Sequence, residues 1–191
     1  MNCDELCSFI RGRIVEPSGR VEISSGDPPS LREPASERSM RLAESRLRSQ
    51  LPSFLRRIYS SVGNGGFGPG AGLLGVEGGH TNEDGENLVE SYERFRSGEW
   101  PVGLLPLFDL GGGAWAGVVL GAKEERVTLA VDSGPVPTKF MLDEWFEVWA
   151  RGGDVVGEVF EISSAVMRSP FTGHEVSYLR RGHPRPFRDH E

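Results

Sequence analysis

Leu51-Pro52-Ser53-Phe54-Leu55-Arg56-Arg57-Ile58-Tyr59-Ser60-Ser61-Val62-Gly63-Asn64-Gly65-Gly66-Phe67-Gly68-Pro69-Gly70 is the stretch on which the reading of the chain turns. Its first half has helical spacing. Proline suits the first turn of a helix, where an N–H would have no partner in any case. Phe54, Leu55, Ile58, Tyr59 and Val62 then recur along one face at intervals of three and four. Gly63 stops the helix. The second half is rich in a residue that tolerates positive φ and lets backbone approach backbone. The expectation is a short helix that delivers the chain into a tight loop reaching about residue 79, with Leu73, Leu74 and Val76 able to open a strand.

Gly63-Asn64-Gly65-Gly66-Phe67-Gly68 also spells GxGxxG, the dinucleotide fingerprint. That fingerprint works by joining a strand to a helix, so that a pyrophosphate meets the helix N-terminus. Here a helical segment precedes it and Pro69-Gly70 blocks a helix after it. An acidic surrounding would also repel phosphate. The loop therefore reads as structural, and no cofactor is expected.

Upstream, Ser36 is a candidate N-cap, followed by Met40, Ala43 and Leu47 on one face, with Glu37–Arg41 and Glu44–Arg48 as i,i+4 pairs. Downstream, a helix over about 86–97 would bury Leu88, Val89, Tyr92 and Phe95 and present Glu86, Glu90 and Glu93 outward. An apolar run follows at Leu104, Leu105, Leu107 and Phe108, where Pro106 implies an edge or a bulge. Strands are expected at Trp115–Leu120 and Arg126–Asp132, then a turn at Gly134-Pro135. A helix over about 140–150 would bury Met141, Leu142, Trp145, Phe146 and Trp149 and expose Asp143, Glu144 and Glu147, with Gly152-Gly153 closing it. The pattern is α+β with about four helices and without regular βαβ alternation. Residues 1–33 read as an appended segment outside the core, with Gly26-Asp27-Pro28-Pro29 as linker. Residues 34–161 form the domain, and 162–191 a Pro- and Arg-rich extension.

The chain has 191 residues and a net charge of −7, unevenly spread. Residues 61–161 carry 17 acidic and 6 basic side chains, for −11, between two ends of +2 each. Such a field repels nucleic acid and anionic lipid and favours basic partners. No apolar run is long enough to span a membrane, and Met1-Asn2-Cys3-Asp4-Glu5 does not open a secretory signal, so a cytoplasmic location is expected. Cys3 and Cys7 read as free thiols. A metal would need further ligands, and His80, His174, His183 and His190 lack ligand spacing, so no metal is expected. Glu83, Asp84, Asp109 and Asp132 offer carboxylates, but in a chain this acidic loop pairs arise by chance, and no nucleophile elbow is present. No enzymatic activity is expected. Trp100, Trp115, Trp145 and Trp149 could form a ligand cage, although helical spacing makes Trp145 and Trp149 core residues.

Taken together, Pro34-Ala35-Ser36, Ala43-Glu44, Leu51-Pro52, Leu55-Arg56, Tyr59, the Gly63–Pro69 run, Leu73-Leu74-Gly75, Trp100-Pro101, Leu104-Leu105-Pro106, the Asp109–Gly113 segment and the Phe140–Trp149 helix resemble the SUKH (Smi/Knr-like) superfamily over residues 34–152. That superfamily joins bacterial immunity proteins of polymorphic toxin systems to fungal cell-wall assembly regulators. The resemblance implies a curved, mostly antiparallel sheet flanked by helices. It also implies a non-catalytic protein that neutralises a cognate toxin by direct binding, the toxin being a nuclease or other nucleic-acid-modifying domain. The alternative it leaves is a general protein-interaction or regulatory module. Pro170-Phe171-Thr172-Gly173 looks like a C-terminal extension of some bacterial members. Gly63, Asn64, Gly65, Gly66, Phe67, Gly68 and Trp100 would be the family motif, structural or in contact with a partner. The two acidic faces, Glu86/Glu90/Glu93 and Asp143/Glu144/Glu147, are the candidate docking surfaces. Reversing Glu86, Glu90 and Glu93 to Lys is expected to leave the melting temperature nearly unchanged.

Overall fold

The computed structural model describes residues 2–15, 31–168 and 175–185. The expected linker at 26–29, the 170–173 segment, His174 and His190 lie outside them. Helix α1 (Cys3–Val15) is followed by α2 (Glu37–Leu47), α3 (Ser53–Ser61) and α4 (Leu88–Phe95). Strands β1 (Leu104–Gly111), β2 (Ala114–Val119), β3 (Arg126–Val131) and β4 (Gly134–Met141) then run consecutively into α5 (Leu142–Ala150) and α6 (Val155–Val159). The hairpin of β5 (Phe160–Arg168) and β6 (Glu175–Pro184) comes last. The architecture is α+β: a four-stranded antiparallel meander in the order β1-β2-β3-β4, with helices packed against it, and the β5–β6 ribbon as a second sheet. None of the described helices is long and apolar enough to cross a membrane.

Local chemistry explains most boundaries. Ser36 caps α2, its hydroxyl accepting the Ser39 N–H at 3.0 Å, and Met40, Ala43 and Leu47 are buried. Arg48 ends the helix in the left-handed region at φ 54°, which breaks the expected Glu44–Arg48 pair. Glu44 instead receives Arg56 at 2.8 Å and the Leu51 N–H at 3.2 Å. Helix α4 starts at 88 rather than 86 because Asn87 caps it. The Asn87 side chain accepts the Val89 and Glu90 N–H groups, and the Glu90 carboxylate accepts the Asn87 N–H in return. This reciprocal pairing satisfies donors that a helix start otherwise leaves open.

The β1–β2 hairpin turns through Gly112-Gly113, both at positive φ (60° and 79°), as a two-residue turn between right-twisted strands requires. Pro106 lies where the β1 register shifts, and β1 is an edge of the four-strand order. The second turn falls at Asp132-Ser133, not at Gly134-Pro135, since Val131 pairs with Gly134. Gly134-Pro135-Val136-Pro137 thus opens a strand. It is the other edge, where a proline removes no ladder bond from a neighbour.

Phe146 on α5 is where the layers meet. Its ring lies 5.7 Å from Phe54 of α3, 6.2 Å from Phe67 of the glycine loop and 5.6 Å from Phe108 of β1. Helix α1 joins the same core: Leu6, Cys7 and Ile10 are buried, and the helix packs against α5 and α3. Arg57 pairs with Asp4, and Arg11 donates to the Ser61 carbonyl. The expectation that the whole of residues 1–33 stands outside the core therefore fails for 3–15. Arg32 and Glu33 also belong to the fold, since their carbonyls accept the Asn64 N–H at 3.2 and 3.1 Å.

Candidate functional site

Residues 63–69 are buried without exception. Asn64, 4% exposed, staples the two limbs of the loop. Its Oδ1 accepts the Val76 N–H at 2.8 Å, while its Nδ2 donates to the carbonyls of Glu77 at 3.2 Å and Val76 at 3.4 Å. Its carbonyl accepts the His80 N–H at 2.9 Å. Further along, Gly66 N–H bonds Leu73 O at 2.9 Å and Leu73 N–H bonds Phe67 O at 2.7 Å, which folds the loop onto itself. Leu74 N–H reaches Leu107 O at 2.9 Å, and Leu73 bridges Phe108, so the strand expected near Leu73 is a single bridge on the edge of β1. The Tyr59 hydroxyl donates to the Leu74 carbonyl beneath, and burial pushes its ionisation far up.

Gly65 shows why this position takes glycine. It sits at φ +83°, and a Cβ there would lie 2.4 Å from Leu73 O and 2.8 Å from Gly75 N. Side chains are excluded both by conformation and by space. The N–H groups of Asn64 and Gly66 already have carbonyl partners, so they are not a cradle for phosphate oxygens. His80 closes the loop: its Nε2 lies 3.0 Å from Ala71 O. Desolvation by burial is the first cause holding its pKa below the ordinary histidine value, with Arg32 adding to it and the Ala71 bond opposing.

Glu86, Glu90 and Glu93 do not share one free face. Glu86 precedes α4, and its carboxylate is held by Asn82 at 3.1 Å and by Arg94 at 2.7 Å. Glu90 is exposed and caps the helix. Glu93 receives Arg46 of α2 through two nitrogens at 2.6 and 3.2 Å. Each partner holds the other's charge: Glu93 is shifted down first by its Arg46 bond, and Arg46 up by the same bond. On α5, Asp143 and Glu144 are exposed, with Glu144 accepting the Met141 N–H at 2.9 Å, and Glu147 pairs with Arg151 at 2.9 Å. Both acidic faces thus carry structural bonds that residue type alone does not announce.

The four tryptophans divide. Trp145 and Trp149 are core, and no hydrogen-bond partner for the Trp145 indole N–H is present among the described residues. Trp100 and Trp115 are half-buried and flank Phe95, with ring centroids 4.6 and 5.0 Å from it. Trp100 Nε1 donates to Leu104 O at 2.6 Å, which fixes the ring over the start of β1. Arg94 lies 4.7 Å from the Phe95 centroid and pairs with Asp84 at 3.0 Å. This cluster joins α4 to β2, and spacing along the chain gave no signal for it.

Both cysteines are free thiols; Cys7 is buried, and desolvation, with Cys3 beside it, pushes its pKa up to about 11. A cleft of about 580 Å³ lies where the β1–β2 and β3–β4 turns meet β6, lined by Gly112, Asp132, Ser133, Arg181 and His183. Arg181 bridges it by donating to the carbonyls of Leu110 and Gly111 at 2.5 and 2.9 Å. Among the described residues no three His, Cys, Asp or Glu side chains converge as a metal requires. No protein-family model matches the chain, and no curated protein matches it.

Proposed function

We propose that this chain is a non-catalytic immunity protein that neutralises a bacterial toxin domain by direct binding. The observation that carries the reading is the closed construction of the Gly63–Pro69 loop. The glycine run on which the SUKH resemblance chiefly rests is buried between α3, β1 and α5, where it holds the scaffold and leaves recognition to side chains nearer the surface. Residues 61–161 have a net charge of −11, which suits a basic partner through steering and charge complementarity. A nuclease or other nucleic-acid-modifying domain is such a partner, because it must attract phosphates.

The test is to sequence the genes beside this one and co-express the chain with any toxin domain they encode. Relief of growth arrest, together with a saturable complex of the two purified proteins, is the expected result. Failure to relieve toxicity from any adjacent toxin, with several unrelated proteins recovered in a pull-down, would instead favour the regulatory-module reading.

A further inference from the structure

The half-buried aromatic cluster is not alone on its face. Leu104 pairs with Val119, so the turn at 101–103 stands beside the end of β2. Val102 on that turn is 96% exposed and Val119 is 40% exposed. A Cβ placed on Gly103 would lie 3.6 Å from Val119 Cγ1, which brings the turn and the strand into contact. Trp115 and Val119 stand on the same side of β2 by alternation. Gly117 between them is covered, since a Cβ there would lie 2.1 Å from Leu105 O. The link between the two runs around the start of β1, where Trp100 Nε1 donates to Leu104 O and Leu104 pairs with Val119. Phe95, Trp100, Val102, Trp115 and Val119 therefore form one apolar strip. Single exposed apolar residues need no explanation, but a contiguous group marks an interaction surface, and interface centres favour tryptophan and phenylalanine.

The charge beside the strip says what covers it. Residues 77–99, which lead into it, hold seven carboxylates and two arginines. Arg94 faces Asp84 and Glu86, and Arg46 faces Glu93, which leaves the segment strongly negative. Glu99 is exposed directly before Trp100. Resting on the immunity reading above, we infer that the strip Phe95–Trp100–Val102–Trp115–Val119 is the docking surface for the toxin, and that its occupant is a lysine- or arginine-rich protein surface with an apolar centre. The aromatic strip supplies the desolvated contact and the acidic border supplies steering, as central anchors and charged rims do in protein interfaces.

Val102 allows the test without risk to the fold, since its side chain meets almost nothing. The full-length protein and its Val102→Lys, Val102→Glu and Phe9→Lys variants are titrated with the toxin domain encoded beside this gene, at low and high salt. Phe9 is exposed on α1, outside the strip. Val102→Lys should weaken binding by about tenfold or more, Val102→Glu by clearly less, and Phe9→Lys not at all, with the melting temperatures of the two Val102 variants unchanged. If Val102→Lys binds as the wild type does, or Phe9→Lys weakens binding as much, the strip is not the interface and the immunity reading stands. If Val102→Glu is the more damaging of the pair, the occupant is not basic and the inference falls. If the wild type neither binds nor protects against the toxin, the functional reading and the surface fall together.

Discussion

Residues 63–80 and 83–102 lie close in sequence, the first being half glycine and the second rich in charged side chains, and they are built in opposite senses. In the first, polar groups turn inward: Asn64 bonds backbone on the far limb, and Gly65 lets one strand of chain pass over another. In the second, carboxylates lie at the surface over half-buried aromatic rings, and their bonds run to neighbouring side chains such as Arg46 and Arg94. An inward loop answers to backbone geometry and tolerates almost no substitution. An outward strip answers to whatever meets it.

The sharpest way to break this contrast is Gly65→Val. Positive-φ strain and a collision with the Leu73 carbonyl should together cost about 3–5 kcal/mol, roughly 10 °C or more in melting temperature. This exceeds the 1–3 kcal/mol that strain alone implies, because the contact is with backbone that cannot rotate away. A near-normal melting curve for this variant would show that the loop rearranges easily. Asn64→Ala comes next, at about 2–4 kcal/mol, because it leaves the buried Val76 N–H without an acceptor. Chemical denaturation gives that value directly.

The strip is tested by reversing Glu86, Glu90 and Glu93 to Lys. Residue type alone suggests a silent change, as exposed charges contribute little. The bonds that Glu86 and Glu90 make predict instead a loss of about 1–2 kcal/mol from the broken cap and the lost Glu86 bonds to Asn82 and Arg94, while Glu93, more than a third exposed, adds little. Unaltered stability would place all three back on a solvated face. The smallest effect concerns pH. The His80 pKa is lowered by burial, so the unfolded chain binds the proton more tightly. Stability is therefore full above about pH 6.5 and declines as pH falls below it. His80→Gln should flatten that part of the stability profile if His80 is its source.

What was legible followed from local rules. Ser36 capped α2, Pro52 opened α3, Gly152 and Gly153 closed α5, and Pro106 fell at an irregularity of an edge strand. These rules act over a few residues, so spacing reveals them. Strand β4 escaped because Pro135 and Pro137 argue for a turn, whereas an edge strand accepts both with their side chains exposed. Helix α1 escaped because only Leu6, Cys7 and Ile10 of its 13 residues are buried, and Gly12 interrupts the pattern. At the candidate site, the glycine loop was legible from composition. The pairing of Glu93 with Arg46, 47 residues away, and the meeting of Phe95 with Trp115 were not. Those contacts exist only once α2, α4 and β2 are assembled, and no local pattern encodes them.

The docking of α1 on α5 has a consequence for synthesis. The first helix emerges from the ribosome with Leu6, Cys7 and Ile10 prepared for burial, but the helix against which it packs ends at Ala150. At the usual 5–20 residues per second, α1 waits for roughly 10 s before α5, its larger partner, exists, with only α3 made sooner. During that interval its apolar side chains are open to chaperones or to other nascent chains. Since Phe146, on which α3, the glycine loop and β1 converge, arrives equally late, the core cannot close progressively from the N-terminus. It closes only once α5 has been made.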